Sequence, residues 1–363
     1  MTFNPPPYTP PDFNKPPLSG APIARFAEAP ADGVAPENYH ATSVFPEYFQ
    51  LEKGAWVILR ESRMDCVAVL RDNGELEVTE FRRLKKGDRV AVGRGEDGED
   101  GIYVHTEAFA VSNATDKFAF RTRASRETSF SIDYDELYEL LPHEREHGFI
   151  LWVMGPAVVF DRDARNAFVS LVQRGYVNAL FAGNALATHD VEGALYHTGL
   201  GQDIYTKKSI PLGHYHHLDT LNAIRSVGSL KQAVAASAVR DGVINALINA
   251  DIPFVLAGSI RDDGPMPEVV GNAYEAQDRM RVYARKATTV IALATQLHSI
   301  ATGNMTPSYQ VTKDGGVRPV YFFCVDMSEF AVNKLADRGS LTARSILTNA
   351  QDFMVTLERG LRP

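Results

Sequence analysis

Arg261, Asp262 and Asp263 stand together in the stretch Leu256-Ala257-Gly258-Ser259-Ile260-Arg261-Asp262-Asp263-Gly264-Pro265. One guanidinium and two carboxylates on a single turn can hold a zwitterion, the cation taking a carboxylate and an anion taking an ammonium. Two neighbouring carboxylates can also raise one pKa toward that of a useful base. Taken singly, either aspartate would serve equally well as a turn residue or a helix N-cap.

Other polar groups follow apolar runs in the same manner. Gly183-Asn184 closes Val177-Asn-Ala-Leu-Phe181, and His189-Asp190 lies just beyond it. Neighbouring helix residues point in different directions, so His189 and Asp190 are not both expected to do chemistry, and structural use is assigned to at least one. Gly213-His214-Tyr215-His216-His217 resembles a metal cluster, yet lacks the spacing that puts two histidines on one helix face. His298 and the string Thr302-Gly303-Asn304 follow the run Thr289 to Leu293, and Asp326 ends the run Val320 to Val325. Asp326 lies about twenty residues past Gly303, the separation at which an acidic residue meets the adenosine ribose in dinucleotide folds. Gly303 would then let backbone amides approach a pyrophosphate; the alternative for Asp326 is an N-cap for a helix over Ser328 to Asp337.

These groups need elements to position them. Residues 1–30 carry Pro5-Pro6-Pro7, Pro10-Pro11 and Pro16-Pro17, and are expected to be an extended or disordered arm. Residues 31–145 read as a small β-rich barrel or sandwich domain. Its short β-branched runs are Ala55–Leu59, Asp65–Leu70, Glu77–Phe81, Arg89–Val92 and Ile102–His105, separated by turns such as Asp72-Asn73-Gly74. Gly93-Arg-Gly95-Glu-Asp-Gly98 matches a dinucleotide fingerprint as a string, but four nearby acids would repel a pyrophosphate; it is read as an acidic hairpin loop. From 146 to 363 apolar strands alternate with helices, which predicts an α/β, Rossmann-like parallel sheet with five strands. Helices are expected over Asp163–Arg174, over Leu218–Ala250 with a break at Gly228-Ser229, and over Ala273–Lys286.

Composition sets the class. A chain of 363 residues with net charge −8 is large enough for two domains and ill suited to nucleic acid or an anionic membrane. It has no apolar run of membrane-spanning length and no secretory pattern, so a cytoplasmic protein is expected. Cys66 and Cys324 lie far apart and offer no metal-ligand spacing. There is no nucleophile elbow and no P-loop, which leaves serine hydrolysis and phosphoryl transfer without support.

A collinear set of strings resembles the archaeal-type ornithine cyclodeaminases, the family also labelled LOR/SDH. The strings are Gly155-Pro-Ala-Val-Val159, Gly175 through Ala187, His189-Asp-Val-Glu192, Gly213 through His217, Leu256 through Pro265, His298 through Met305, Cys324-Val-Asp326 and Lys334 through Ser340. Gly33 through Tyr39, Met64-Asp-Cys66 and Lys85 through Asp88 extend it into the β-rich part. The resemblance implies a bound NAD and conversion of L-ornithine to L-proline with loss of ammonia. Such a reaction asks for a cation for the α-carboxylate, an anion for the distal ammonium and a base for the α-ammonium, so Arg261, Asp262, Asp263 and His298 are the candidate catalytic residues. Asn184, Gly258, Ser259, Thr302, Gly303, Asn304 and Asp326 are the candidate NAD-binding residues, with His189 and His214 as additional proton shuttles or nicotinamide contacts. Partners are an amino-acid substrate and further copies of the chain in a homo-oligomer; no metal is expected. The chain departs from the family at Phe160-Asp161-Arg162, where His-Thr-Gly is usual, at Ala41-Thr-Ser43, and through extra residues at Lys313 to Arg318. Two alternatives therefore stay open: an oxidoreductase or epimerase of another amino acid, and a non-catalytic nucleotide-binding protein.

Overall fold

The structure, a computed structural model, describes residues 3–109, 131–262, 264–312, 315–328 and 341–362. Its centre is a seven-stranded sheet: β1 (Ile150–Met154), β2 (Ala179–Gly183), β3 (Phe254–Ala257), β4 (Val269–Val270), β5 (Thr289–Leu293), β6 (Tyr321–Asp326) and β7 (Thr342–Leu347). The order is β4-β3-β2-β1-β5-β6-β7, and every pair is parallel. From β1 the chain winds outward through β2 and β3, returns across β1 to β5, and winds outward on the other side. That reversal leaves a crevice between the carboxyl ends of β1 and β5.

Helices on both faces explain the unbroken apolar runs. In β1, Ile150, Trp152 and Met154 face one core, with the helices Arg162–Gln173 and Ala350–Gly360, while Leu151 and Val153 face the other. Ala276, Met280 and Ala284 of the helix Ala273–Ala284 pack in that second core. Strands covered on both sides bury every position, and all five residues of β1 and of β5 are buried. The Trp152 indole is fully buried and donates to the Tyr176 carbonyl at 2.9 Å, so its one polar atom is satisfied.

The five runs read from sequence are strands β1, β2, β3, β5 and β6; β4 and β7 are additional. β4 has two residues, and β7, Thr342-Ala-Arg-Ser-Ile-Leu347, buries only Ile346, as suits an edge. The expected break at Gly228-Ser229 is present. Gly228 takes a left-handed φ of 102° after Val227, and the Ser229 hydroxyl accepts from the Gln232 N–H at 3.0 Å. A second break at residues 236–242 divides the region into three helices, His216–Val227, Leu230–Ala235 and Val243–Asn249.

Before the sheet lies an antiparallel β-rich region. One sheet pairs Arg25–Glu28, Arg89–Val92, Cys66–Leu70 and Leu76–Glu80, and another pairs Ala55–Ile58, Glu47–Glu52 and Ile102–Val104. The strand Arg25–Glu28 falls inside the proline-rich stretch, and Phe13 of that stretch stacks on Trp56 with centroids 5.0 Å apart. Gly93 to Gly98 opens no helix: Asp97 bridges to Tyr103, and the Gly95 N–H donates to Asp100 at 2.9 Å. A third small sheet joins the two parts of the chain, since Glu61–Ser62 pairs with Tyr309–Val311, itself paired with Val317–Pro319. Lys313 and Asp314 lie outside the described residues. Both cysteines are buried free thiols, and burial pushes Cys66 up to about 11 and Cys324 up to about 12.

Candidate active site

The crevice is built from three strand ends. After β1, Gly155 donates its N–H to the Leu293 carbonyl at 2.9 Å, and a Cβ at this position would overlap the Ala294 carbonyl oxygen. Only glycine lets the two strand ends come this close. Ala294 itself takes φ +48°, a left-handed conformation that costs a residue with a Cβ about 1–2 kcal/mol. After β2, the helix Asn184–Tyr196 starts from Gly183 with no side-chain cap, and the helix Gln296–Met305 after β5 likewise starts uncapped from Thr295. Two uncapped helix N-termini therefore point free N–H groups toward the carboxyl edge of the sheet, an arrangement suited to an anion such as a pyrophosphate. The close approach at Gly155 and these amides fit a dinucleotide.

The turn that carries Arg261 and Asp262 follows the carboxyl end of β3 on this edge. Gly258 continues β3 and donates to the Val270 carbonyl at 2.9 Å. Asp262 folds back so that its carboxylate accepts from the Ser259 N–H at 2.8 Å, and the Ser259 hydroxyl accepts from the Arg261 N–H at 3.1 Å. These bonds hold a tight polar loop with the Arg261 side chain in solvent and Asp262 half-buried. Asn184 ties down its far end, the side-chain oxygen accepting from the Met266 N–H at 3.0 Å and from the Thr188 hydroxyl at 3.2 Å. Asp263 lies outside the described residues.

His298, in the first turn of its helix, leans across to β2. Its Cε1 would lie 3.0 Å from a Cβ on Gly183, and its Nδ1 is 3.3 Å from the Thr295 hydroxyl. Burial holds the imidazole below the usual histidine range, while the Asp262 carboxylate acts in the opposite sense. His298 is thus neutral at pH 7, with an acid as neighbour. Replacing Asp262 by asparagine should lower the His298 pKa further, because the one charge favouring the imidazolium is gone; imidazole NMR titration of the two proteins reads this directly, and an unchanged pKa would separate the two residues.

Asn184, Gly258, Ser259, Asp262 and His298 therefore converge. Thr302, Gly303 and Asn304 do not. They occupy the last turns of the helix Gln296–Met305, where backbone amides are spent on the helix's own carbonyls, so Gly303 forms no phosphate-binding turn. Thr302 is fully buried and donates to the His298 carbonyl at 2.7 Å. The spacing to Asp326 was real, but the residues it started from are helical. Asp326 ends β6, one strand beyond the crevice, and its carboxylate accepts from the Ser328 N–H at 2.9 Å. The continuation of that segment, 329–340, lies outside the described residues and includes Lys334 through Ser340.

His189 and Asp190 part company as helix geometry requires. Asp190 is fully buried and accepts from Arg165 at 2.6 Å and from the Val243 and Ile244 N–H groups at 2.9 and 2.8 Å, which caps the helix Val243–Asn249. His189 pairs through Nδ1 with Glu192 at 2.7 Å, and its ring centroid is 5.0 Å from that of Phe160 and 6.4 Å from that of His217. Burial alone would raise Glu192, but bonds from His189, the Gly201 N–H and Thr198 outweigh it and hold the carboxyl below the usual range. Glu192 was not singled out from sequence; its place three residues after a histidine, one helical turn away, was the available signal. Of the remaining histidines, His216 is 2.8 Å from the Thr198 hydroxyl and stacks on Tyr196, and His214 is exposed against Tyr215. Among the described residues no three histidine, cysteine or acidic side chains converge as a metal site, and no helix is long and apolar enough to cross a membrane.

A parallel sheet in this order, with a glycine-tight crevice and polar strand ends, defines a Rossmann-fold enzyme. Residues 136–357 match the family described as "Arginine dihydrolase ArgZ-like, C-terminal, Rossmann fold". Ornithine cyclodeaminase from Methanopyrus kandleri is 38% identical over 93% of this chain and 78% of its own length, and that from Methanocaldococcus jannaschii is 38% identical over 92% and 76%. The bifunctional arginine dihydrolase/ornithine cyclodeaminase ArgZ of Synechocystis is 35% identical over 91% of the chain, which spans 45% of that longer protein. Among solved structures, a conserved LOR/SDH protein from Methanococcus maripaludis aligns with TM-score 0.80 at 34% identity, covering 94% of this chain and 97% of that one. The ternary complex of AgrE with ornithine and NAD+ aligns with TM-score 0.59 at 30% identity, covering 94% of this chain and 47% of that one. The chain belongs to the archaeal-type ornithine cyclodeaminase family, and is an enzyme of an NAD-using kind.

Proposed function

We propose that this protein converts L-ornithine, or a closely related basic amino acid, to L-proline or its cyclic analogue with release of ammonia, using bound NAD. The observation that carries this reading is the packing of His298 against Gly183 at the carboxyl end of β2, beside the uncapped helix that starts at Asn184 and within the electrostatic reach of Asp262. The backbone at Gly155, Gly183 and Asn184 would hold the dinucleotide, with Gly258, Ser259 and Asp326 flanking it. Bound NAD would supply the redox chemistry, that of a reversible hydride acceptor for Cα.

The side chains do the rest. Arg261 takes the α-carboxylate, and Asp262, with Asp263 beside it in sequence, takes the distal ammonium. Neutral His298 accepts a proton from the α-ammonium, so that this nitrogen can form the imine; the distal ammonium gives its proton to the Asp262 carboxylate, and the resulting amine attacks the imine carbon. The same imidazolium returns the proton as ammonia leaves. A depressed histidine pKa suits this order of events, since it favours the imidazole in its free-base form. The assay is direct: purified protein with NAD and L-ornithine should release ammonia and proline in equal amounts with no net NADH. Steady NADH formation, or racemised ornithine without ammonia, would defeat the proposal.

One observation favours a second reading, an NAD-dependent oxidoreductase or epimerase of a different amino acid. Phe160 stands where the family pattern has a polar residue, and its ring packs against His189. A panel of basic and neutral amino acids assayed for both NADH and ammonia separates the two.

A further inference from the structure

The string from His298 to Met305 starts at the crevice but ends elsewhere. Its helix rises about 1.5 Å per residue, so Met305 is roughly 14 Å from Gln296. There, Ala301, Gly303, Asn304 and Met305 line a cavity of about 190 Å³ between the Rossmann part and the β-rich part of the chain. Arg63, Asp65 and Glu80 line it from the β-rich side, and Arg281 from the helix Ala273–Ala284. At about 30 Å³ per water, the space equals roughly six waters, enough for a small metabolite.

Its charges are unevenly matched. Arg63 and Arg281 share one Glu80 oxygen, at 2.6 and 2.7 Å. Arg281 also shares Asp278 with Arg82 and Arg83, and Glu61 serves both Arg63 and Arg285. Five guanidinium groups thus share Glu80, Asp278 and Glu61, with Glu77 a further partner of Arg285, and in the lining of the cavity itself Arg63, Arg82 and Arg281 face Asp65 and Glu80. The Arg63 side chain is only 4% exposed, yet its Nε has no hydrogen-bond partner. A buried cationic donor left unpaired is costly. Burial holds the Arg281 guanidinium below the usual arginine range, with Glu80 opposing and the like charges of Arg63, Arg83 and Arg82 adding to the lowering, whereas at Arg63 the nearby acids, Glu80 and Glu61 among them, outweigh burial and raise it. An ion-pair network serving only to join the two parts would need neither the unpaired donor nor the space.

We propose that this cavity is a second binding site, separate from the crevice, for a free α-amino acid. The surplus guanidinium charge of Arg63 and Arg281 receives the α-carboxylate, Asp65 and Glu80 receive the α-ammonium, and Met64, Ala301 and Met305 face the apolar part of the side chain. Because the site is made from both parts of the chain, its occupant stabilises their contact, which makes it suited to regulating the enzyme by amino-acid supply.

The test is binding, independent of turnover. Intact protein is screened by thermal shift against the standard L-amino acids and against acetate and butyrate, and hits are measured by calorimetry. The expected result is one amino acid with a Kd near or below about 1 mM. That affinity should be kept in Asp262→Asn, whose change lies at the crevice, and weakened about tenfold or more in Ala301→Met, which fills the cavity without touching a charge. Asn304→Leu, at an exposed helical position, gives the same reading should Ala301→Met fold poorly. Equal binding of acetate or butyrate would show a carboxylate site without amino-acid recognition and overturn the proposal. So would the absence of any hit, or binding lost in Asp262→Asn but kept in both cavity variants, since the ligand would then occupy the crevice.

Discussion

Turnover of L-ornithine should fall by about 10²–10⁴-fold or more when Asp262 and Asp263 are both replaced by asparagine, while NAD remains bound. Asparagine keeps the shape of the turn. Its side-chain oxygen can still accept from the Ser259 N–H, the bond that closes the loop around Ile260. What is lost is negative charge, and with it the partner we propose for the distal ammonium. It also removes the counter-charge beside His298. The double change is needed because the two residues are adjacent and one could stand in for the other. Ammonia release measures the activity, and mass spectrometry of the purified variant reports retained cofactor. Near-normal ammonia release would remove the turn from the mechanism, and loss of NAD would make it part of the cofactor site instead.

The second large effect concerns stability. Asp190→Ala should destabilise the protein by about 3–5 kcal/mol, the cost of leaving one member of a buried ion pair alone. Arg165 is 3% exposed and donates through Nε to Asp190; its remaining acidic partner, Asp241, is largely in solvent. The Val243 and Ile244 N–H groups lose their acceptor at the same time, so the helix Val243–Asn249 loses its cap. Differential scanning calorimetry should show a drop of about 6–20 °C for a domain of this size. His189→Gln, one residue earlier, should change the melting point much less, because Glu192 keeps its bonds from Thr198, the Leu200 N–H and the Gly201 N–H. Equal losses from the two substitutions would contradict the division of labour between these neighbours.

The main strands were legible because a parallel strand covered on both faces must be apolar at every position. Ile150 through Met154, Val290 through Leu293 and Val320 through Val325 carry that mark. β7 carried no such mark: Thr342-Ala-Arg-Ser lies on an edge, where half the strand need not be buried. The Arg–Asp–Asp stretch stood out as a candidate because three ionisable groups after an apolar run have little packing purpose. The helical fate of Thr302, Gly303 and Asn304 was not readable, since a lone glycine suits a turn and a close helix contact equally well. In the folded chain that glycine lies beside Phe322, 3.8 Å from where a Cβ would be.

Local composition and apolar period therefore determined the α/β class, the strand–helix alternation, the β-rich region before it and the polar loop after β3. Only the tertiary structure decided the strand order, and through it which polar ends share one crevice: Asp262 and His298 are thirty-six residues apart in sequence yet neighbours in space. It also sent Asn304 to a second cavity and gave Asp190 to Arg165 rather than to chemistry. Periodicity records which face of an element is buried, whereas the partner of a polar side chain depends on how elements far apart in the chain are brought together.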